Sequence, residues 1–496
     1  MADHTKRYIA IDLAADGGKV VLASVGGGSP ATETVHSFSL PAVRIGGQDY
    51  WDIYAAYAEV VKGLSKIGAR KVVVESIGID AWGPGVVCVA GDGLFFGPPR
   101  LCSEVLSEAV QAKFFKRMER RDLFETTGVN ILDSHAALQL FGMRREKSVA
   151  LEEAKRLLFI PEAVAYLLTD KKFSGLTSLS AAGILDRRTT KLSKDVLSAC
   201  KVRPKRFPSV VKPGDKLGKL TEEVAQATGL DRIPVVAVAG SRIASAAAAV
   251  PYGVSAPSVA PSADPSGSAF LMPGAVSVLG VETSAPMVND QTFEMNFSSE
   301  IGLGGVNLLL KRVVGTDLLE RCLEAWRAAG RAYSPEDVAR MAREGAPTKA
   351  QLDPEDPALR SVPDAPSAIA RYCSLRSMAA PVDDAATIRL IYESYAEKIG
   401  DTFVKLQSVT PFRIKSLYMV GEGIPYSITS GTESPERMLC GVHDPVFCQL
   451  VADECAVPVI TGPADAAVLG NVLAQAGLTR QALASAFTPE TYTPGL

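Results

Sequence analysis

The chain has little histidine, and its cysteines form no metal-binding or redox pattern. Of its 496 residues four are histidine, and the eight cysteines occur singly without a Cys-x-x-Cys pair. Isolated thiols and imidazoles do not give the ligand spacings of zinc sites or of thioredoxin-like motifs. We therefore expect no metal centre and reduced thiols, as in the cytoplasm or another reducing intracellular compartment.

An excess of charge of one sign and a long apolar run are also missing. The 52 Lys and Arg residues nearly balance the 55 Asp and Glu residues, for a net charge of −3. Such a balance provides no basic field for a nucleic acid or a membrane surface. No apolar run reaches the roughly 18 residues of a membrane span, and the polar start has no secretory apolar region. We expect neither nucleic-acid binding nor a membrane span nor secretion.

What is present is an alternation of β-like apolar runs and amphipathic helical segments, in two halves that begin alike. Hydrophobic residues make up 47% of the chain and charged residues 22%, which is typical of a globular protein with a sizeable core. The pattern predicts strands at 8–12, 19–24, 72–80, 86–90, 235–239, 269–280, 414–420 and 456–460, and helices at 104–118, 136–146, 150–169, from 243, 315–329, 386–407 and 465–476. Residues 251–269 and 344–366, rich in proline, predict loops. The class is α/β.

Several short segments carry more specific information. The most telling is Val235–Ala246, an apolar run that enters a Gly-Ser turn and continues into an alanine-rich stretch, and Ser76–Gly83 reads Ser-Ile-Gly-Ile-Asp-Ala-Trp-Gly. Together with Tyr8–Lys19, Trp51-Asp52, Leu352–Pro354 and Gly462–Asn471, these segments resemble, in order, motifs of the FGGY family of carbohydrate kinases, and the rhamnulokinases most. The resemblance extends from the first strand to about Ala476.

The resemblance implies two actin-like (ribonuclease H-like) domains flanking a cleft. The N-terminal, sugar-side domain would span 1–248, the C-terminal, nucleotide-side domain 249–480, and a tail 481–496, with the boundary near 245–255. In this family an aspartate after the strand removes the proton from the sugar hydroxyl that attacks ATP, with Mg²⁺ bridging the phosphates.

At the position of that aspartate, the gap-free alignment places Arg242. The family's His-Asp-Thr triplet corresponds to Ser241-Arg242-Ile243. A guanidinium cannot accept a proton in a protein, and loss of a general base costs roughly 10²–10⁴ in rate. The resemblance therefore predicts no catalytic residue here.

The family's ligand-binding positions are altered as well. On the nucleotide side they correspond to Asp12, Asp16, Lys19, Gly274, Ala275, Gly421 and Gly423, where Asp16 replaces a serine, Ala275 replaces a threonine, and Pro273 and Glu422 disturb the phosphate loops. On the substrate side they correspond to Asp80, Gly83, Arg242 and Arg312, with Leu101–Val105 in place of an Arg-Asp motif and with Gln139 kept. Several positions also have a purely structural interpretation: Asp80 and Trp82 suit a turn and packing, the turn at Asp16 suits a hairpin, Gly462–Asn471 suits helix packing, and Arg242 suits a solvated surface cation.

Three functions remain open on the sequence. The first is a pseudokinase that acts as a structural or interaction subunit with other protein subunits, for which no cofactor is expected. The second is an active ATP-dependent ketose kinase, which would retain ATP and Mg²⁺. The third is a sensor that binds an anionic sugar phosphate through Lys19, Arg242 and Arg312. We further predict that Arg242 points inward and bonds to Asp80, or failing that to Asp12.

Overall fold

The computed structural model of the chain describes two compact units. It describes residues 5–26, 30–83, 85–101, 106–130, 135–253, 267–274, 276–359, 362, 364–421, 423, 439–483 and 486–495. The first unit comprises Met1–Ala249, Glu282–Leu309 and Ala466–Ala486, and the second comprises Val250–Val281, Leu310–Asp465 and Phe487–Leu496.

These units differ from the linear division that the resemblance implies. The chain first changes unit after Ala249, inside the expected interval 245–255. Residues 282–309 and 466–486, however, belong to the first unit, although the linear division places them in the 249–480 domain and the 481–496 tail. Packing explains the return of the last helix, because Val468 and Val472 share a buried cluster with Tyr8 and Ala10 of the first strand. A chain that returns to an earlier core leaves no compositional boundary.

Strands and helices alternate along the chain, which confirms the α/β class. The strands are β1 (Lys6–Ala14), β2 (Gly17–Val25), β3 (Ala31–Ser39), β4 (Val43–Ile45), β5 (Gln48–Tyr50), β6 (Ser76–Ala81), β7 (Val86–Val89), β8 (Arg156–Phe159), β9 (Ser174–Gly175), β10 (Leu185–Asp186), β11 (Lys191–Leu192), β12 (Val210–Val211), β13 (Lys216–Lys219), β14 (Pro234–Val236), β15 (Ser268–Met272), β16 (Val276–Thr283), β17 (Ser298–Ile301), β18 (Asn307–Val314), β19 (Ser416–Met419), β20 (Val459–Thr461) and β21 (Thr491–Tyr492).

The α-helices are Ile53–Gly68, Glu108–Phe115, Arg120–Thr127, Ala136–Arg145, Val149–Glu153, Ile160–Thr169, Leu176–Ala181, Lys194–Ala199, Glu222–Thr228, Arg242–Ala248, Asp290–Glu294, Asp317–Ala328, Pro335–Glu344, Ala365–Leu375, Asp384–Val409, Pro445–Cys455 and Ala466–Ala476, and short 3₁₀ turns lie at Pro204–Arg206, Leu303–Gly305 and Arg480–Leu483.

A six-stranded sheet forms the centre of the first unit, in the order β13-β14-β6-β1-β2-β3. Strand β1 pairs antiparallel with β2 and parallel with β6. Alternate residues of β1 enter different cores: Ile9, Ile11 and Leu13 pack into one cluster, and Tyr8 and Ala10 into the other. Because side chains of a strand alternate between faces, this continuous apolar run indicates a strand covered on both sides.

Two of the quoted motifs serve the fold. Trp51 is fully buried, and Asp52 caps the helix Ile53–Gly68 by accepting hydrogen bonds from the N–H groups of Tyr54 and Ala55 at 3.1 and 3.0 Å. In the second unit, Asp353 accepts a hydrogen bond from Lys398 at 3.2 Å. An aspartate at a helix N-cap contributes about 1 kcal/mol, so Asp52 is explained without a ligand.

The segment 150–169, predicted as one helix, is instead a helix, a strand and a second helix. The strand β8 pairs antiparallel with β7, so that Val87 lies opposite Leu158. Pro161 occupies the first turn of the next helix, a position where its missing N–H costs nothing. The prediction of a single helix was wrong because the apolar residues of β8 are buried on both faces of the strand. They therefore hide the change from helical to strand periodicity in the sequence.

The sheet of the second unit includes the strand order β16-β15-β19-β20-β21. The pairs β15–β19 and β19–β20 are parallel, and β15 pairs antiparallel with β16. The β segments predicted near 269–280 are the two strands β15 and β16, and Pro273-Gly274 lies between them. Most of the predicted loop 251–269, namely residues 254–266, lies outside the described residues.

Candidate functional site

Asp12 and Asp80 lie side by side in the first unit. They are register partners on the parallel strands β1 and β6, so their side chains point to the same face of the sheet. Asp12 is 4% exposed and Asp80 is fully buried. Two carboxylates in such a position cannot both carry an uncompensated charge.

Two helices supply hydrogen-bond donors to Asp80. Ser245 Oγ, from the helix Arg242–Ala248, donates to Oδ1 at 2.8 Å, and Asn471 Nδ2, from the helix Ala466–Ala476, donates to Oδ2 at 2.8 Å. Burial and, secondly, the charge of Asp12 raise the pKa of Asp80 to about 8, against the opposing effect of these donors and of Arg242. At neutral pH the protonated form of Asp80 is therefore favoured.

Gln475 extends this polar network by one helical turn. Its Nε2 donates to Asn471 Oδ1 at 2.7 Å and to the carbonyl oxygen of Ile9 at 3.0 Å, and its Oε1 accepts from Ser76 Oγ at 2.7 Å. A Cβ atom at Gly78 would overlap Asn471 Oδ1, so glycine is needed there for the approach. The network fixes the last helix against β1 and β6.

Arg242 provides the cation of the site. Its Nε lies 2.6 Å from Asp12 Oδ1, and one terminal nitrogen donates to Asp12 Oδ2 at 3.2 Å. The Arg242 side chain is 30% exposed and that of Asp12 4%. The guanidinium thus forms one charge-assisted hydrogen bond, to Oδ2, and a close ion-pair contact with Oδ1. Both carboxylate oxygens of Asp12 are thereby engaged.

The prediction that Arg242 points inward and bonds to a buried aspartate is confirmed. Its partner is Asp12, the second choice, and the first choice of Asp80 as the partner was wrong. Each oxygen of Asp80 already accepts a hydrogen bond from a neighbouring helix, and burial disfavours its charged form. The guanidinium accordingly pairs with the other carboxylate, Asp12. The alternative of a solvated surface cation is excluded by the same contacts.

The backbone around Gly240 positions Arg242 beside Asp12 and Asp80. After β14 the chain turns at Gly240, whose φ of 66° favours glycine. The Gly240 carbonyl accepts a hydrogen bond from the N–H of Ala81 at 3.1 Å, and Ser241 forms a parallel bridge with Ala81. Because Ala81 directly follows Asp80, the start of the helix Arg242–Ala248 is held beside the carboxylate pair.

Three other predicted residues of the first unit lie on the strands β1, β2 and β6 or in the turns next to them. Lys19 is the antiparallel register partner of Asp12, so the structure brings it to the same face. Asp16 is exposed in the turn between β1 and β2, and its carbonyl accepts a hydrogen bond from the N–H of Leu40 at 2.7 Å, which agrees with a hairpin-turn role. Gly83 follows β6 and has open space where a Cβ would lie.

The remaining predicted residues belong to the second unit or lie outside the described residues. Arg312 lies on β18, and the carbonyl of Gly274 accepts hydrogen bonds from the N–H and Oγ1 of Thr316, both at 3.2 Å. Gly421 and Gly423 have φ values of 100° and 83°. Ala275, Glu422 and residues 102–105 are outside the part of the chain that the structure describes.

Sequence reasoning missed Ser245, Asn471 and Gln475 as parts of the site. Asn471 lay inside a segment interpreted as helix packing, and Ser245 in an alanine-rich helix. The spacing held a signal: Asn471 and Gln475 are four residues apart in an otherwise apolar segment, and thus share one helix face. Only the fold shows that this face meets Asp80.

A separate cavity of about 410 Å³ lies in the first unit. Its walls include Gln139, Tyr50 and the ion pair between Arg100 and Glu146, whose atoms are 2.6 Å apart. The structure therefore places Gln139 on a cavity whose described lining does not include Asp12 or Asp80.

Among the described residues, no group of three or more histidine, cysteine, aspartate or glutamate side chains could hold a metal ion. None of the helices within the described ranges is both long and apolar enough to cross a membrane.

Comparison with known proteins relates this site to a family. Residues 7–248 match the N-terminal domain of the FGGY family of carbohydrate kinases. A rhamnulokinase of Bacteroides thetaiotaomicron is 32% identical over 471 residues, covering 95% of this chain and 90% of that protein. A rhamnulokinase of Pectobacterium carotovorum is 27% identical, covering 94% of this chain and 87% of that protein.

The structure of a gluconate kinase from Lactobacillus acidophilus aligns with a TM-score of 0.73 at 15% identity, covering 99% of this chain and 94% of that one. The expected sugar-kinase fold is confirmed.

Proposed function

This chain belongs to the FGGY family of carbohydrate kinases, and we propose that it is a rhamnulokinase-like member that no longer phosphorylates a sugar. The observation that carries the proposal is Arg242. The resemblance aligns it with the family's catalytic aspartate, and in the structure it lies against both oxygens of Asp12.

The chemical argument concerns the proton of the attacking hydroxyl. Phosphoryl transfer needs an aligned nucleophile and a group that takes its proton, and arginine has no acceptor. The neighbouring acids are poor substitutes. Asp12 is occupied by the guanidinium, and Asp80 is fully buried with a donor on each oxygen. The proposal follows from the absence of a suitable acceptor among these described groups.

A silent kinase fold can still act through its surface. Fold and chemistry are separable, since catalytic residues can change while the packed core stays. We therefore include in the proposal the role of a structural or interaction subunit. The sensor hypothesis depends on Lys19, Arg242 and Arg312 as ligands for an anion, and the pairing of Arg242 with Asp12 weakens it. The active ketose kinase remains the alternative that the experiment addresses.

The direct test is turnover. Purified protein with ATP, MgCl₂ and L-rhamnulose, and separately with other ketoses and glycerol, is expected to give no ADP above a buffer control. A coupled ADP assay measures this, with the rhamnulokinase of Bacteroides thetaiotaomicron as the positive control. Saturable turnover with any of these acceptors would refute the silent-kinase proposal and favour the active alternative.

Restoring one carboxylate is not expected to restore a kinase. Arg242→Asp returns the family's residue type, but it leaves Pro273 without a backbone donor beside the presumed phosphate loop, together with Ala275 and Glu422. We expect ADP production by this variant to stay at background in the same assay, and Arg242→Asn provides a matched control without the charge. Robust turnover by Arg242→Asp alone would show that the nucleotide side is intact and that our interpretation of its substitutions is wrong.

A further inference from the structure

We propose that Arg242 is a built-in counter-cation, which takes the place of a divalent cation at Asp12 and makes this carboxylate pair indifferent to Mg²⁺. The inference rests on the proposed function and deepens it. Kinases of this family work with Mg²⁺-ATP, and the contacts of Asp12 and Asp80 determine whether these acids fit a magnesium ion.

The pair needs compensation for its charge. Asp12 and Asp80 are register partners whose side chains share a sheet face, and both are almost completely buried. Buried neighbouring carboxylates require a cation, a proton or several donors. Arg242 supplies the cation at Asp12, whereas Ser245 and Asn471 supply donors at Asp80. The described side chains therefore compensate the pair without any added ion.

These contacts do not fit a divalent ion at Asp12. Mg²⁺ requires several oxygen ligands in near-octahedral geometry, but the space beside both oxygens of Asp12 is taken by guanidinium nitrogens, at 2.6 and 3.2 Å. Arginine stays charged at every workable pH and cannot become a ligand. A dication at Asp12 would meet this fixed positive charge, and Lys19, the register partner of Asp12 on β2, adds another on the same face.

Removal of the guanidinium should create a binding site for a divalent cation beside Asp12. In Arg242→Ala, Asp12 loses its counter-charge and gains a space that opens toward solvent, since the Arg242 side chain is 30% exposed. Oxygen ligands with net negative charge favour hard divalent cations. We expect Mg²⁺ and Mn²⁺ to bind there and to stabilise the variant, because an ion that binds only the folded state raises its stability.

The experiment follows melting temperature during titration with MgCl₂ or MnCl₂ at constant ionic strength, and measures Mn²⁺ binding by electron paramagnetic resonance. Wild type and Arg242→Lys are expected to show no saturable shift. Arg242→Ala is expected to show a saturable upward shift and about one tightly bound Mn²⁺ per chain. The matched control is Arg70→Ala, which removes a guanidinium from the exposed pair with Glu33, at 2.7 Å, and should leave the protein unresponsive.

Each outcome decides the inference. A saturable Mg²⁺ shift in the wild type overturns it, and so does an Arg242→Ala variant that stays unresponsive. Should Arg242→Ala fail to fold, Arg242→Gln replaces it, because its amide can still donate to Asp12 without a charge; a variant of that kind without a cation response would likewise refute the inference. The proposed function is judged separately by ADP release, so a silent wild type with a Mg²⁺ response would refute this inference alone.

Discussion

Asp80→Asn is expected to remove most of the loss of folding stability that the wild type undergoes between about pH 4 and pH 8. The pKa of Asp80 is raised from 3.8 to about 8, first by burial and then by Asp12. An acid whose pKa is raised on folding contributes stability below its unfolded pKa and loses that contribution as the pH rises through its folded pKa. At about 1.4 kcal/mol per unit, the loss is on the order of 4 kcal/mol by neutral pH.

The variant keeps the shape of the side chain but removes the titration. The new amide can accept from Asn471 and donate to the hydroxyl of Ser245, so the network around position 80 stays satisfied. Urea unfolding at several pH values between about 4 and 8.5 should give a flatter stability profile for the variant and a higher stability than the wild type at the alkaline end. Asp16→Asn, at an exposed turn, serves as the control. Equal slopes for wild type and Asp80→Asn would show that Asp80 titrates normally.

Gly470→Val is expected to be the most destabilising single change near the site. A Cβ at Gly470 would overlap the backbone carbonyl of Ser245, where two helices that both contact Asp80 meet. Backbone atoms cannot rotate away, so the helices must separate. Overpacking of a well-packed core costs about 1–3 kcal/mol, and occasionally more, and β-branching adds a small helix penalty. We expect a loss at or above the upper end of that range.

Urea unfolding at constant pH measures the change, with Gly91→Ala as the control. A Cβ at Gly91 would meet only the flexible side chain of Lys155 at 3.7 Å, so this substitution should change the unfolding midpoint little. If Gly470→Val left the midpoint unchanged, the close contact between the helices Arg242–Ala248 and Ala466–Ala476 would not exist in solution.

Some elements were predictable because their signal is local. Apolar periodicity is clear in the hairpin of β1 and β2 and in the predicted helices 386–407 and 465–476. The structure contains both strands of this hairpin, and the two helices at Asp384–Val409 and Ala466–Ala476. The strand β8 was missed because its buried residues carry no alternation. The return of residues 466–486 to the first unit was missed because it depends on packing against β1.

The sequence by itself determined the α/β class and the family, because residue types and their order carry that information without coordinates. That Arg242 stands in place of a catalytic aspartate stays a prediction from the resemblance. Only the tertiary structure decided which acid Arg242 binds. That choice depends on what else reaches each carboxylate: Ser245 and Asn471 arrive at Asp80 from helices that lie 165 and 391 residues away along the chain. Asp12 is left to the guanidinium, since charge pairing is set by distance in space and by burial, and sequence separation records neither.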